Sequence, residues 1–260
     1  MPRYDSDLSD QKWSYIESFF PQPNKLGCPR KHQPRTLVDA MLYVDRTGCA
    51  WRLLPNDFPS WKTVYHYFSK WRKEGLWKTI HDNLRESVRR LNGRLDMPSA
   101  GIIDSQSVKT TDIGGDVGYD GGKNIKGKKR HIIVDILGMI IGVIVTSANT
   151  SDPKGARELF DGIKDSMPRL EHIWADGTYS GKLIDWTKDN CGWTIEVIKP
   201  VTGKGPGFHV RPWCWIVERT FAWLNKNRRL SKDYERLNET SESFIYLSMI
   251  ALMTGRLAKI

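Results

Sequence analysis

Three acidic residues stand where carboxylates could hold metal ions. Asp104 directly follows the apolar residues Gly101–Ile103, and Asp176 directly follows the sequence His-Ile-Trp-Ala, so each is predicted to lie at the end of a β-strand. Glu218 lies among apolar residues on a predicted helix. Carboxylate oxygens are preferred ligands of Mg²⁺, and a pair of such ions can activate a water or a 3′-hydroxyl and stabilise a departing oxygen. A single acid in such a place is more commonly a turn, cap or solvated residue.

The order of the predicted elements after residue 98 determines whether these acids can meet. The pattern predicts five strands and four helices, and the apolar residues around Leu137-Gly138 favour a hairpin. This order is typical of an α/β, ribonuclease-H-like domain with a mixed five-stranded sheet ordered 3-2-1-4-5. Strands one and four are then parallel neighbours, so Asp104 and Asp176 come within reach of one metal. Their mutual repulsion requires a counter-charge. The predicted elements are strands 101–105, 130–137, 139–146, 170–176 and 193–199, and helices 152–167, 182–190, 215–230 and 239–257.

The residues before a break at 92–100 have a different, helical pattern. We predict an all-α, helix-turn-helix-like domain over residues 1–95 and a catalytic domain over 98–260. Residues 61–71 would form a recognition helix whose Val64, Phe68 and Trp71 face the core. The opposite face would contact DNA through Lys62, Thr63, Tyr65, His66 and Lys70. The alternative is a helical domain that only packs.

Basic residues exceed acidic ones, and their distribution suggests a polyanionic partner. The chain has 40 Lys and Arg against 30 Asp and Glu, a net charge of +10, and residues 1–95 hold 17 against 10. Such residues bind phosphate backbones without reading sequence. The alternatives are a solvated loop and ordinary amphipathic packing. Outside the recognition helix, the predicted DNA contacts are Lys109, Lys123, Lys126, Lys128, Lys129, Arg130, Arg219, Lys226, Arg228 and Arg229.

Several other classes of protein are disfavoured. No apolar run approaches the roughly 18 residues of a membrane span, and the first residues do not resemble a secretory signal. We therefore expect a cytoplasmic protein. The four cysteines have no paired spacing, so a structural zinc is not expected.

Four long motifs resemble those of bacterial insertion-sequence transposases of family five, members of the wider DDE class. They are residues 101–109, 119–131, 175–181 and 217–235, and the resemblance covers nearly the whole chain. It implies that Asp104, Asp176 and Glu218 are the metal-binding triad of DNA cleavage and strand transfer. It also implies two Mg²⁺ ions, with Mn²⁺ as a substitute, and no small-molecule cofactor. The partners would be the terminal inverted repeats and target DNA, bound by at least a homodimer.

One departure from the family pattern leaves alternatives open. Trp213 and Cys214 stand where the family usually has arginines, and an arginine four residues before Glu218 would share its helix face and could hold a phosphate. The chain could therefore be a catalytically impaired remnant that only binds DNA. A ribonuclease-H-like nuclease is a second alternative, although such an enzyme would not need a sequence-reading helical domain.

Overall fold

The chain divides into two compact units. The computed structural model describes residues 3–21, 31–112, 115–198 and 213–259. The first unit comprises Met1–Arg94, Leu224–Ser231 and Ser243–Ile260, and the second comprises Leu95–Trp223 and Lys232–Glu242. The first boundary lies close to the expected one at residue 95. Two C-terminal segments that we expected in the catalytic domain belong instead to the first unit.

Short local signals delimit the helices of the first unit. The side chain of Ser9 accepts a hydrogen bond from the backbone of Lys12, and Pro34 occupies the first position of the second helix. Gly48 and Gly75 both have positive φ, at the end of the second helix and between the third and fourth. The helices are α1 (Asp10–Ser14), α2 (Pro34–Thr47), α3 (Trp61–Lys73) and α4 (Leu76–Leu91).

Aromatic side chains fill the core of the first unit. The ring of Phe68 on α3 stacks on that of Phe244, with centroids 4.8 Å apart, and contacts Trp51 at 5.3 Å. Trp71 meets Trp77 edge to face at 5.7 Å. Phe244 belongs to the last helix of the chain, so residues far apart in sequence complete this core.

The second unit is built on a six-stranded mixed sheet. Strand β3 pairs antiparallel with β1, β4 and β2, while β1, β5 and β6 run parallel. The order β4-β3-β1-β5-β6 is the predicted order 3-2-1-4-5, and the ribonuclease-H-like α/β fold is confirmed. The strands are β1 (Ala100–Lys109), β2 (Gly118–Asp120), β3 (Ile125–Val134), β4 (Ile140–Ser147), β5 (His172–Ala175) and β6 (Thr194–Val197). The remaining helices are α5 (Asp152–Ile163), α6 (Lys182–Cys191), α7 (Cys214–Leu224) and α8 (Asn238–Leu257).

The predicted elements differ from the observed ones in several places. Strand β1 continues to Lys109 instead of ending at residue 105, so Asp104 lies within the strand, and the prediction that it ends a strand is wrong. Helix α5 ends at Ile163 instead of residue 167. Strand β2 falls in a glycine-rich stretch and was not predicted. Strand β3 begins at Ile125, because the basic residues that we interpreted as a loop belong to the strand. Helix α7 ends at Leu224 instead of residue 230. The hairpin at Leu137-Gly138 is confirmed, since β3 and β4 pair antiparallel around it.

One face of the sheet packs on α5 and α6. Ile103 and Ile173 belong to this core, together with Leu159 on α5 and Leu183 on α6. The helix α5 approaches the sheet at Gly155, where an added Cβ would overlap the ring of His131. A glycine is therefore required at this crossing.

Two further properties concern the whole described chain. Over those residues, no helix is both long enough and apolar enough to cross a bilayer. The described cysteines, Cys49, Cys191 and Cys214, form no disulfide among themselves. Cys28 lies outside the described residues.

Candidate active site

The two aspartates of the predicted triad come together where the pairing of the neighbouring strands β1 and β5 ends. Strands β1 and β5 pair in parallel with Ile102 opposite Trp174, so Asp104 and Asp176 lie at the same level two residues further along. Side chains alternate along a strand, and Ile103 and Ile173 point into the core beside α5 and α6. Both carboxylates therefore belong to the opposite face.

The electrostatics show that Asp104 lacks a full counter-charge. The pKa of Asp104 is raised to about 7, mainly by burial and then by the nearby carboxylates of Asp176 and Asp152. The backbone N–H of Ser105, which donates to Oδ1 of Asp104 at 2.7 Å, and the ammonium of Lys123 oppose the shift. A carboxylate in this position is stabilised by a proton or by a bound cation.

The two oxygens of the Asp176 carboxylate differ in their hydrogen bonds. Its Oδ1 accepts hydrogen bonds from the backbone N–H and the hydroxyl of Thr178, at 2.9 and 2.5 Å, and so caps the short 3₁₀ turn 177–179. Its Oδ2 has no protein partner among the described residues. One oxygen thus fixes the side chain while the other can bind a ligand.

The third acid is not brought to this pair. Glu218 is exposed on α7, and the described residues offer its carboxylate no hydrogen bond or ion pair. No group of three His, Cys, Asp or Glu residues within the described ranges is arranged to hold a metal. The two aspartates fit a divalent cation by their chemistry, and the assignment of Glu218 as their partner stays a prediction.

A buried polar network lies behind Asp104, on the face that packs against α5. The hydroxyl of Ser105 donates to Asp152 at 2.8 Å, and Nζ of Lys129 lies 3.1 Å from Asp152 and 3.2 Å from Asp120. Asp120 also accepts a hydrogen bond from Ser107 at 2.5 Å. Neither Asp152 nor Asp120 is among the predicted site residues. The signal that could have found them is the alternation of polar residues in β1.

Comparison with known proteins agrees with the fold. A family model described as "Putative transposase of IS4/5 family" matches residues 8–81. Two models described as "Transposase DDE domain" match residues 95–202 and 173–254. The chain belongs to the IS4/5-type DDE transposases.

A relative from Burkholderia cepacia, the "Putative transposase for insertion sequence element IS402", is 30% identical over 128 residues. This match covers 46% of the chain and 60% of the relative, so it spans less than two thirds of that protein.

Within the DDE domain, three of the predicted DNA contacts are buried. Lys128 donates to the carbonyl of Glu235 at 2.6 Å and lies 3.6 Å from Asp233, and Lys129 belongs to the network behind Asp104. Arg130 is fully buried and donates to Gln106 at 3.4 Å. We therefore do not retain these three as contacts for a DNA backbone, because each side chain is committed inside the fold. Lys109, Lys123 and Lys126 are exposed.

The second predicted basic cluster is also partly used inside the fold. The guanidinium of Arg219 lies between the rings of Trp215 and Trp223, at 4.6 and 4.7 Å, and donates to the carbonyl of Leu137. Arg229 is buried in the first unit, where it donates to the carbonyl of Cys49 at 3.1 Å. Arg229 is therefore withdrawn as a DNA contact, and Arg219 is held by its aromatic neighbours. Lys226 and Arg228 are exposed in the first unit.

The faces of α3 match the predicted recognition helix of the transposase. Its core residues are buried, and Thr63 is half-buried. Four of the five residues predicted to face DNA are exposed, namely Lys62, Tyr65, His66 and Lys70, and Lys73 at the end of the helix is exposed as well.

The two residues that depart from the family pattern have structural roles. The indole of Trp213 stacks on Trp174, with centroids 4.7 Å apart and an angle of 15° between the planes. Trp213 adopts a positive φ of 68°, which is uncommon for a residue other than glycine. Cys214, the first residue of α7, is buried, whereas Glu218 one helical turn later is exposed.

Proposed function

We propose that this chain cleaves DNA at the ends of an insertion sequence and joins the freed 3′-hydroxyl to target DNA. The observation that carries the proposal is the pair of Asp104 and Asp176 at matched level on neighbouring parallel strands, with the pKa of Asp104 raised to about 7. Two carboxylates this close, with one ammonium beside them, form a site of excess negative charge that favours a divalent cation. The match to two DDE-domain models supports the same chemistry.

In this proposal the metal-binding residues are Asp104, Asp176 and Glu218, and the cofactor is a pair of Mg²⁺ ions with Mn²⁺ as a substitute. Such ions supply an activated nucleophile and stabilise the leaving oxygen. Asp176 contributes Oδ2, since Thr178 occupies its other oxygen. Glu218 would have to approach the aspartates from α7 when DNA and metal bind.

We further propose that the first unit recognises the terminal repeats. The exposed face of α3 presents two lysines, a histidine and a tyrosine that could enter a groove of DNA, while the opposite, apolar face is buried. Lys226 and Arg228 add positive charge in the same unit. Two DNA ends must be paired for transposition, so we propose a homodimer or larger assembly on DNA, acting at the bacterial nucleoid.

The test is a cleavage assay with duplex DNA that carries the native element ends. Asp104→Asn, Asp176→Asn and Glu218→Gln should each abolish Mg²⁺-dependent cleavage and leave the affinity for DNA nearly unchanged, because each removes a metal ligand and no phosphate contact. Asp185→Asn is the matched control, since Asp185 is exposed on α6 and belongs to no proposed site. Near-normal cleavage by any one of the three variants would remove that residue from the triad.

The same assay distinguishes the alternatives. The departure at Trp213 and Cys214 is the observation that favours an impaired remnant. Selective binding of terminal-repeat DNA without cleavage in Mg²⁺ or Mn²⁺ would establish the remnant. Cleavage of RNA–DNA hybrids in preference to element ends would establish a ribonuclease-H-like nuclease.

A further inference from the structure

The turn between β2 and β3 brings one lysine to the candidate active site. Nζ of Lys123 donates to the backbone carbonyl of Ser105 at 3.0 Å and lies 3.4 Å from its hydroxyl. The backbone N–H of Ser105 in turn donates to Asp104 at 2.7 Å. The ammonium is therefore held by the backbone carbonyl and the hydroxyl of Ser105, the residue that follows a proposed metal ligand along β1.

Buried groups fix the backbone that presents Lys123. The carboxylate of Asp120 accepts hydrogen bonds from the backbone N–H groups of Gly122 and Lys123, both at 3.1 Å. Asp120 is itself held by the hydroxyl of Ser107 and the ammonium of Lys129. This turn is thus anchored to the network behind Asp104, and the position of Lys123 follows from it.

The ammonium of Lys123 differs from those of its basic neighbours because it is not committed to a carboxylate. Lys129 lies within ion-pair distance of Asp120 and Asp152, and Lys128 within that of Asp233. Among the described residues, no carboxylate oxygen lies within 4.0 Å of Nζ of Lys123, and its two acceptors both belong to Ser105. One of its three N–H bonds therefore remains available for an oxygen of a ligand, and the residue is exposed to solvent.

We propose that Lys123 is a catalytic residue whose ammonium contacts a non-bridging oxygen of the phosphate that is cleaved. This inference rests on the proposed function. In the hydrolytic step, the oxygen of water forms a bond to phosphorus, the bond from phosphorus to the 3′ oxygen breaks, and that oxygen leaves as a hydroxyl with one proton. Lys123 keeps its proton throughout. Its fixed charge stabilises the negative charge on the non-bridging oxygens of the transition state.

This role differs from the nonspecific contact with the DNA phosphate backbone that the sequence predicts for basic residues. A backbone contact stabilises bound substrate and transition state equally, so its loss weakens DNA binding and leaves the cleavage rate of bound DNA unchanged. A contact to the reacting phosphate is strongest in the transition state, so its loss lowers the cleavage rate of bound DNA.

The experiment measures single-turnover cleavage of duplex element ends at saturating full-length protein in Mg²⁺, with DNA affinity measured separately in Ca²⁺. Lys123→Met should lower the cleavage rate about 10²–10³-fold, as loss of a preorganised charge typically does, with little change in affinity. Lys123→Arg should recover much of the rate. Lys188→Met is the control, because Lys188 is an exposed lysine on α6 outside every proposed site.

Three results would overturn the assignment. Lys123→Met could bind DNA more weakly and yet cleave bound DNA at the normal rate, which would make Lys123 a backbone contact only. Lys123→Met and Lys123→Arg could lose activity equally and with a lowered melting temperature, which would make the role structural. If the unmodified chain does not cleave, the proposed function itself fails and this role fails with it.

Discussion

Replacing Asp104 by asparagine should stabilise the metal-free protein while it abolishes cleavage. The pKa of the folded carboxyl is raised to about 7 from its ordinary value of 3.8, by burial first and then by neighbouring carboxylates. Between these two pKa values the folded state therefore keeps the proton on Asp104, whereas the unfolded state has lost it. Stability falls as the pH rises from about 4 to about 7 and is constant above that range.

The size of the effect follows from the shift in pKa. A difference of about 3 pKa units at about 1.36 kcal/mol each gives a destabilisation of about 4 kcal/mol at pH 8, and of about 1.6 kcal/mol at pH 5. The asparagine side chain of the variant would carry no charge, and its amide oxygen could still accept the hydrogen bond from Ser105. We expect Asp104→Asn to raise the free energy of unfolding by up to about 4 kcal/mol at pH 8.

The assay is urea unfolding of the full chain at pH 8 and pH 5, with a chelator to remove divalent ions. Adding Mg²⁺ should then stabilise the unmodified chain and not the variant, because a ligand stabilises only the state that binds it. The surface variant Asp185→Asn should change stability by less than about 0.5 kcal/mol. If Asp104→Asn is equal to or less stable than the unmodified chain at pH 8, then Asp104 is not an uncompensated buried charge.

Three further predictions concern stability, each measured by urea unfolding. Gly155→Ala should lower the free energy of unfolding by about 1–3 kcal/mol or more, because its Cβ would overlap the His131 ring. Gly162→Ala on the same helix meets nothing within 4 Å and should raise the free energy of unfolding by up to about 1 kcal/mol. Equal effects of the two variants would contradict the close approach of α5 to the sheet at Gly155. Burial lowers the pKa of His131 to about 4, so the folded protein should lose about 3 kcal/mol of stability as the pH falls from about 6.5 to 4. His131→Gln should remove this loss. An unchanged dependence of stability on pH would argue against a buried neutral ring. Trp213→Ala should lower the free energy of unfolding by about 0.5–1.5 kcal/mol, because it removes the stack on Trp174, and should shift the tryptophan fluorescence. An unaltered spectrum would show that the stack is absent in solution.

The positions of the two aspartates could be predicted because strong local signals surround them. Glycine and β-branched residues precede Asp104, and a short apolar run precedes Asp176, so the sequence indicates a strand before each of them. Asp176 does follow the end of β5, whereas β1 continues past Asp104 to Lys109. The order of strands and helices then determines which strands are neighbours. Whether Glu218 reaches the pair could not be predicted from these signals, since it depends on the placement of α7 and not on local sequence.

Which basic residues are buried could not be predicted for a related reason. A run such as Lys128 to Arg130 has the composition of an exposed loop, and nothing nearby in sequence shows that it is buried. The partners of Lys128 lie at Asp233 and Glu235, more than 100 residues away along the chain. Burial of a charge is decided by such distant partners. The division of the C-terminal helices between two units is hidden in the same way, because an apolar helix face does not identify the core that it joins.

The cap formed by Asp176 has a consequence for how copies of an insertion sequence decay. Its Oδ1 fixes the turn after β5 through Thr178, and an amide oxygen can accept the same two hydrogen bonds. A single-base change from Asp to Asn at this position should therefore leave the fold and the proposed DNA-reading surface intact while it removes a proposed metal ligand. Such a copy would still occupy element ends and join mixed assemblies. We expect defective copies of this kind to act as dominant inhibitors of intact ones, so loss of activity at one locus would restrain transposition across the genome.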